Sequence, residues 1–226
     1  QFLTFNGMGP LHLAAVHGHA AAVSVLVQRR VDVNVRDGVG GTPLYYALCT
    51  GSPEVQQELV ARRVDVSARI ALGLTVLDGA IVGQNVESVR FALSLDTPKG
   101  SDVHGVSAFH IAAMFDAPRE IMTMLAAAGI PLTSRFRPRS GSIWWVLSWI
   151  CVLSYRLGRR GRLEYFFFHS AGGTPLHFAI ASGNASAARL LMELGADPTL
   201  RNDHGVSVKD LLATSCCASE FARHTQ

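Results

Sequence analysis

Three histidines recur in closely similar local sequence: His12 in Gly9-Pro10-Leu11-His12, His110 in Ser107-Ala108-Phe109-His110 and His177 in Thr174-Pro175-Leu176-His177. His17 and His19 flank Gly18 just after the first of them. An imidazole titrates near neutral pH and binds metals, so acid-base or metal chemistry is the first use to weigh. Ser101, Asp102 and His104 supply the residue types of a nucleophilic triad, but a triad is defined by geometry and not by adjacency in one loop. Cys49, Cys151, Cys216 and Cys217 show neither C-x-x-C spacing nor an even framework, which fits a reducing compartment. The adjacent Cys216 and Cys217 lack the basic or apolar context of a lipidation site and read as two small residues in a tail. No glycine-rich phosphate loop, nucleophile elbow or paired Cys/His zinc spacing occurs. The expectation is a protein that is not an enzyme and needs no cofactor or metal.

The elements that carry these histidines are clearest between Gly173 and Gly205. Thr174 is a good N-cap, its hydroxyl able to accept from free amides of the first turn, and Pro175 suits the first helical position. Leu176, Ala179 and Ile180 fall on one helical face, and Gly183-Asn184 ends that helix. Ala187, Leu190, Leu191 and Leu194 form a second apolar stripe, ended by Gly195 and Pro198. Two helices this short cannot bury their faces alone, so they need neighbours of the same kind.

Those neighbours exist. Gly9, Thr42 in Gly41-Thr42-Pro43-Leu44, and Thr75 follow one another at equal intervals, and the same interval separates Thr174 from Ser207. Ser107 arrives a single position short of that interval after Thr75, and the early arrival of Gly83 predicts a shortened first helix in the third unit. Val31-Asp32-Val33-Asn34, Val64-Asp65-Val66-Ser67 and Ala196-Asp197-Pro198-Thr199 hold equivalent places, where an Asp can bond its own following backbone and start a loop. Arg30 and Arg63 stand where Gly195 stands later, and a non-glycine residue in a left-handed cap costs about 1 kcal/mol.

Thr174-Pro175-Leu176-His177-Phe178-Ala179, with a period of about 33 residues, resembles the ankyrin repeat. The resemblance implies an all-α ankyrin-repeat solenoid of helix-turn-helix-loop units, five recognisable ones plus a partial cap, covering about 190 residues. Residues 1–135 would hold repeats one to four, 136–172 an atypical insertion or degenerate repeat, 173–213 a further repeat and a partial C-terminal cap, and 214–226 a tail. It also implies that the recurring histidine bonds the cap threonine and the neighbouring loop, a structural task. Equivalent histidines about 10 Å apart along a stack could not share one ion. Function would then be a non-catalytic protein-protein interaction scaffold or adaptor, with a partner held on loop tips and the exposed ends of first helices. Carried over, the protein-binding positions are Val16, His17, Val39, Cys49, Thr50, Leu72, Leu74, His104, Met114, Phe115, Ser182, Asp203 and His204. Their apolar members Leu72, Leu74, Met114 and Phe115 suggest an apolar partner segment across repeats two to four. Asn34 matches a position some family members present for hydroxylation, though its flanking residues are not specific for that.

Residues 136–170 break the pattern. They hold Trp144, Trp145, Trp149, the triplet Phe166-Phe167-Phe168 and six arginines against one acid, Glu164. Without them the chain has 14 basic and 16 acidic residues, so the overall charge of +3 is local to this stretch. The interval from Ser107 to Thr174 is two periods and a single further position, so the odd stretch fills about one repeat's worth of chain. That leaves open a degenerate fifth repeat, a projecting insertion, or translated intron sequence. If the stretch does not propagate the stack, residues 173–213 would form a satellite module hinged to the first four repeats. Residues 143–157 are apolar but, as a helix of about 22 Å, too short for the roughly 30 Å hydrocarbon core; interfacial membrane contact stays open. Nucleic-acid binding is disfavoured because arginines and rings are not interleaved. With 49% apolar and 16% charged residues, the chain is expected to be ordered and monomeric. It reads as a cytoplasmic or nuclear fragment or processed product, with a larger enzyme's regulatory part as the alternative.

Overall fold

The computed structural model describes residues 7–70, 73–95, 105–137 and 170–214. The chain divides into two compact units, residues 1–99 and residues 100–226. In the first unit, six short helices run as three antiparallel pairs: α1 (Pro10–Val16) with α2 (Ala20–Gln28), α3 (Pro43–Thr50) with α4 (Pro53–Ala61), and α5 (Val76–Val82) with α6 (Val86–Ser94). The first helices stack as α1 on α3 on α5, and α2 packs beside α4. Leu11, Leu44, Leu48, Leu59, Leu77 and Ile81 are fully buried between them, the shared core that no single pair could make.

The second unit holds α7 (Ala108–Met114), α8 (Arg119–Ala127), α9 (Pro175–Ser182), α10 (Ala185–Glu193) and α11 (Val208–Thr214). Here α9 packs directly on α7, α10 on α8, and α11 on α9. Phe109, Ile121, Met122, Leu125, Leu176 and Ile180 fill its core. The expected satellite is therefore not what forms: the 173–213 segment stacks directly on the repeat that begins at Ser107.

The reason is a hairpin. Each repeat leaves through a tight loop in which one residue donates its N–H to the carbonyl four residues on and accepts from the N–H three residues on. Asp37 does so with Gly41 and Gly40, Ile70 with Leu74 and Gly73, and Asn202 with Val206 and Gly205. Phe136 makes the same pair of bonds with Gly173 (3.0 Å) and Gly172 (2.8 Å). Gly172 takes the left-handed conformation (φ 65°) of Gly40, Gly73 and Gly205. The hairpin thus closes at its base as the others do, although along the chain residues 137–171 separate Phe136 from Gly172 where the others have two residues.

Two further positions differ from expectation. Gly83 is not the left-handed end of a shortened helix; its φ is −71°, and Gln84 takes the left-handed place at φ 53°. Gly83 is small because a Cβ there would lie 2.0 Å from the Cys49 carbonyl oxygen. The residue missing from the third repeat falls after α6, between Ser94 and Ser107. Arg30 and Arg63 do adopt left-handed conformations, at φ 59° and 58°.

Candidate functional site

Eight residues after each cap, the first helix runs out and presents a side chain at its C-terminal end. In the first unit these are His17 and Thr50, exposed, with Val16 and Cys49 half-buried before them. In the second they are Phe115, 41% exposed, and half-buried Ser182, preceded by half-buried Met114 and Ala181. The loop tips supply Val39, 47% exposed, and half-buried Leu74 in the first unit, exposed Asp203 and half-buried His204 in the second. Leu72 and His104 lie outside the described residues, as do Ser101 and Asp102, Cys151, Cys216 and Cys217, and the apolar stretch 143–157. The apolar group Leu72, Leu74, Met114 and Phe115 is therefore represented by Leu74 in one unit and by Met114 and Phe115 in the other.

The side chains at this surface are held from beneath. The buried Asp37 carboxylate accepts from the N–H groups of Val39 (3.0 Å) and Gly41 (2.7 Å) and from the Tyr46 hydroxyl, which fixes the first hairpin tip. Asn202 repeats the arrangement, its Oδ1 accepting from His204 and Val206 at 3.0 Å each. Asp32, Asp65 and Asp197 each accept the N–H two residues on, at 2.7–2.9 Å, so their turns form as expected. The Asn34 side-chain oxygen is occupied by the Asp65 N–H at 2.7 Å.

The histidines are used up structurally. His110 Nδ1 accepts the Ser107 N–H at 3.0 Å, which requires the proton on Nε2, and Nε2 donates to the Gly173 carbonyl at 3.3 Å. His177 Nδ1 accepts the Thr174 N–H at 3.2 Å, and Nε2 donates to Val206 at 3.2 Å. His12 accepts from Gly9 at 3.1 Å and reaches the Val35 and Gly41 carbonyls at 3.1 and 3.0 Å. Each ring thereby ties its own helix cap to the following loop or repeat. Burial pushes His110 down to about 4, and lowers His177 as well, so both rings stay neutral at physiological pH. The Thr174 hydroxyl also meets His177 Nδ1 at 2.9 Å, within a reciprocal capping box in which Thr174 caps the third helical residue and the His177 ring caps Thr174. Asp78 and Asp210 replace the ring elsewhere, accepting the Thr75 and Ser207 N–H groups at 2.8 and 2.9 Å. The second repeat has Tyr45 at this position, and the Thr42 hydroxyl accepts the Tyr45 N–H at 3.3 Å.

Cys49 gives no nucleophile: burial raises its thiol to about 11, so it is protonated at neutral pH. His17 and His19 stack with centroids 5.8 Å apart. Among the described residues no group of three or more His, Cys, Asp and Glu could hold a metal ion. Nor is any helix of the described residues long and apolar enough to cross a membrane.

One recurring feature escaped the reading of the sequence. Arg36 donates to the Arg69 carbonyl at 2.9 Å and Arg69 to Gly73 at 2.9 Å; in the second unit Arg135 donates to Arg201 at 2.9 Å and Arg201 to Gly205. These arginines stand at equivalent places just before each hairpin and lace neighbouring loops together. Their spacing, one repeat period from Arg36 to Arg69, is the signal that could have found them.

Comparison with known families matches residues 1–70 to ankyrin repeats (3 copies) and residues 171–203 to the ankyrin repeat. No curated protein matches the chain. Two separate segments thus match ankyrin repeats, in an architecture of paired helices among the described residues. Architecture of this kind is generally associated with protein-protein interaction and is typically non-catalytic.

Proposed function

We propose that this ankyrin-repeat chain is an interaction scaffold that holds a polypeptide partner on its hairpin tips and first-helix ends. The observation carrying this reading is a division of labour within each repeat. The chemically capable histidines are consumed in backbone bonds, whereas the positions one turn away, His17, Thr50 and Phe115, are exposed and differ from repeat to repeat. Uniform buried positions build a rigid frame, and varied exposed positions on that frame can encode a partner; rigidity keeps the entropy lost on binding small.

The aromatic and arginine-rich insertion belongs to the same reading. Its two ends, Phe136 and Gly172, meet at the base of a hairpin, so the stretch between them starts and finishes at the edge on which partners of such stacks sit. Arg137 and Asp203, 3.6 Å apart, stand at its root beside the next tip.

A displayed peptide library selected on the intact chain tests the proposal. Peptides held by the first unit should lose binding to Thr50→Arg and those held by the second unit to Phe115→Ala, while the thermal midpoint stays unchanged. Binding that survives the substitution in its own unit would refute that unit's surface as the site.

A further inference from the structure

Two imidazoles stand apart from those that hold the frame. His12, His110 and His177 are buried and bonded through their ring nitrogens, whereas His17 and His19 are exposed and their ring nitrogens bond to no other described residue. They occupy the two ends of the turn between α1 and α2. The equivalent places hold Thr50 and Ser52 in the second repeat, Gly83 and Asn85 in the third, and Phe115 with Ala117 and Ser182 with Asn184 in the second unit. The shared helix-pair framework therefore does not require histidine at either place.

Backbone bonds hold both residues in position. The His17 N–H donates to the Leu13 carbonyl at 3.1 Å, Gly18 to Ala15 at 3.2 Å and His19 to Ala14 at 2.9 Å. Gly18 between them is left-handed, at φ 68°, which turns the chain sharply and brings its two neighbours round toward each other. The rings lie with centroids 5.8 Å apart and planes inclined by 29°. A Cβ on Gly18 would come 2.7 Å from the Ser52 hydroxyl, so a polar group sits directly against the turn, with the Thr50 hydroxyl 3.4 Å beyond it.

An imidazole nitrogen binds zinc at about 2.0–2.1 Å, which puts two rings sharing one tetrahedral ion about 5 Å apart between centroids. The observed 5.8 Å is within about 1 Å of that, and exposed rings close such a gap by turning about their side-chain bonds. We propose that His17 and His19 together bind one divalent transition-metal ion, zinc or copper, with water completing its coordination. Imidazole favours these ions over magnesium and calcium, which take oxygen ligands. Two protein ligands hold the ion exchangeably, unlike the closed four-ligand sites on which small folds depend. Bound there, the ion ties the C-terminal end of α1 to the N-terminal end of α2, and the Ser52 hydroxyl can accept from a metal-bound water.

The experiment titrates zinc chloride into the intact chain and follows imidazole proton-nitrogen correlation spectra. The ring signals of His17 and His19 should shift together along one isotherm, and magnesium chloride should shift neither. His17→Ala and His19→Ala should each weaken zinc binding at the remaining ring at least about tenfold, because the second ligand acts at a high local concentration. Both variants should keep the parent amide pattern in α1 and α2, since neither side chain caps a helix or is buried. Three results would overturn the proposal: a shift of one ring without the other, parent affinity retained at the remaining ring in either variant, or an equal response to magnesium.

Discussion

Acidification should loosen the second unit well before its carboxylates titrate. His110 is fully buried, with Nδ1 receiving an N–H and Nε2 giving its proton to Gly173, so a second proton would face a donor and break the cap. Its folded pKa of about 4 lies below the unfolded value of about 6.5. A group depressed in this way contributes its full stability above pH 6.5, and that stability falls as the unfolded chain takes up protons, levelling near pH 4. The whole effect is about 3 kcal/mol, of which about 2 kcal/mol is lost between pH 7 and pH 5. His177 is lowered too and acts in the same direction. The assay is urea unfolding between pH 7 and pH 5, followed through amide exchange in α7 and α9. His110→Gln keeps an acceptor and a donor on one side chain but does not titrate, so its pH slope should be markedly shallower. A flat profile in the parent chain, or the same slope in the variant, would refute the reasoning.

Four other outcomes follow from the packing. Gly83→Ala should cost about 1–3 kcal/mol in urea unfolding of the first unit, because the new methyl meets the Cys49 carbonyl. Arg30→Gly and Arg63→Gly should each stabilise by about 1 kcal/mol, read as a higher unfolding midpoint, since both residues sit in the left-handed region. Phe136→Ala should cost about 3–5 kcal/mol by the same assay, removing a ring that is 3% exposed and edge-on to Phe178 at 5.5 Å. Replacing residues 137–171 with Asp-His, the tip of the last hairpin, should leave the second unit folded, checked by its circular dichroism and exchange pattern.

Much of the fold could be read from residues that act locally. Caps, prolines, left-handed glycines and apolar spacing depend on a few neighbours, so Thr174 to Leu194 forms the two helices its sequence specifies, with Leu176, Ile180 and Leu191 buried. Gly83 misled because a helix-ending glycine and a glycine forced by a neighbouring backbone look alike until Cys49 is in place. The direct stacking of α9 on α7 was hidden because Phe136 and Gly172, far apart along the chain, meet only in the folded hairpin. The arginine ladder was hidden because its acceptors are backbone carbonyls, which carry no sequence signature. Of the candidate interface, positions at the first-helix ends could be placed by counting from the cap. Their exposure could not, since Phe115 and Ser182 occupy one register and differ in burial.

The claim on which the functional reading rests is that the frame passes directly from α7 to α9. A nuclear Overhauser spectrum of the intact chain tests it most directly. Cross-peaks from the His110 and Phe136 ring protons to the Phe178 ring are predicted, from centroid separations of 4.7 and 5.5 Å. Absence of both, with the three rings assigned and the second unit folded, would contradict a continuous frame.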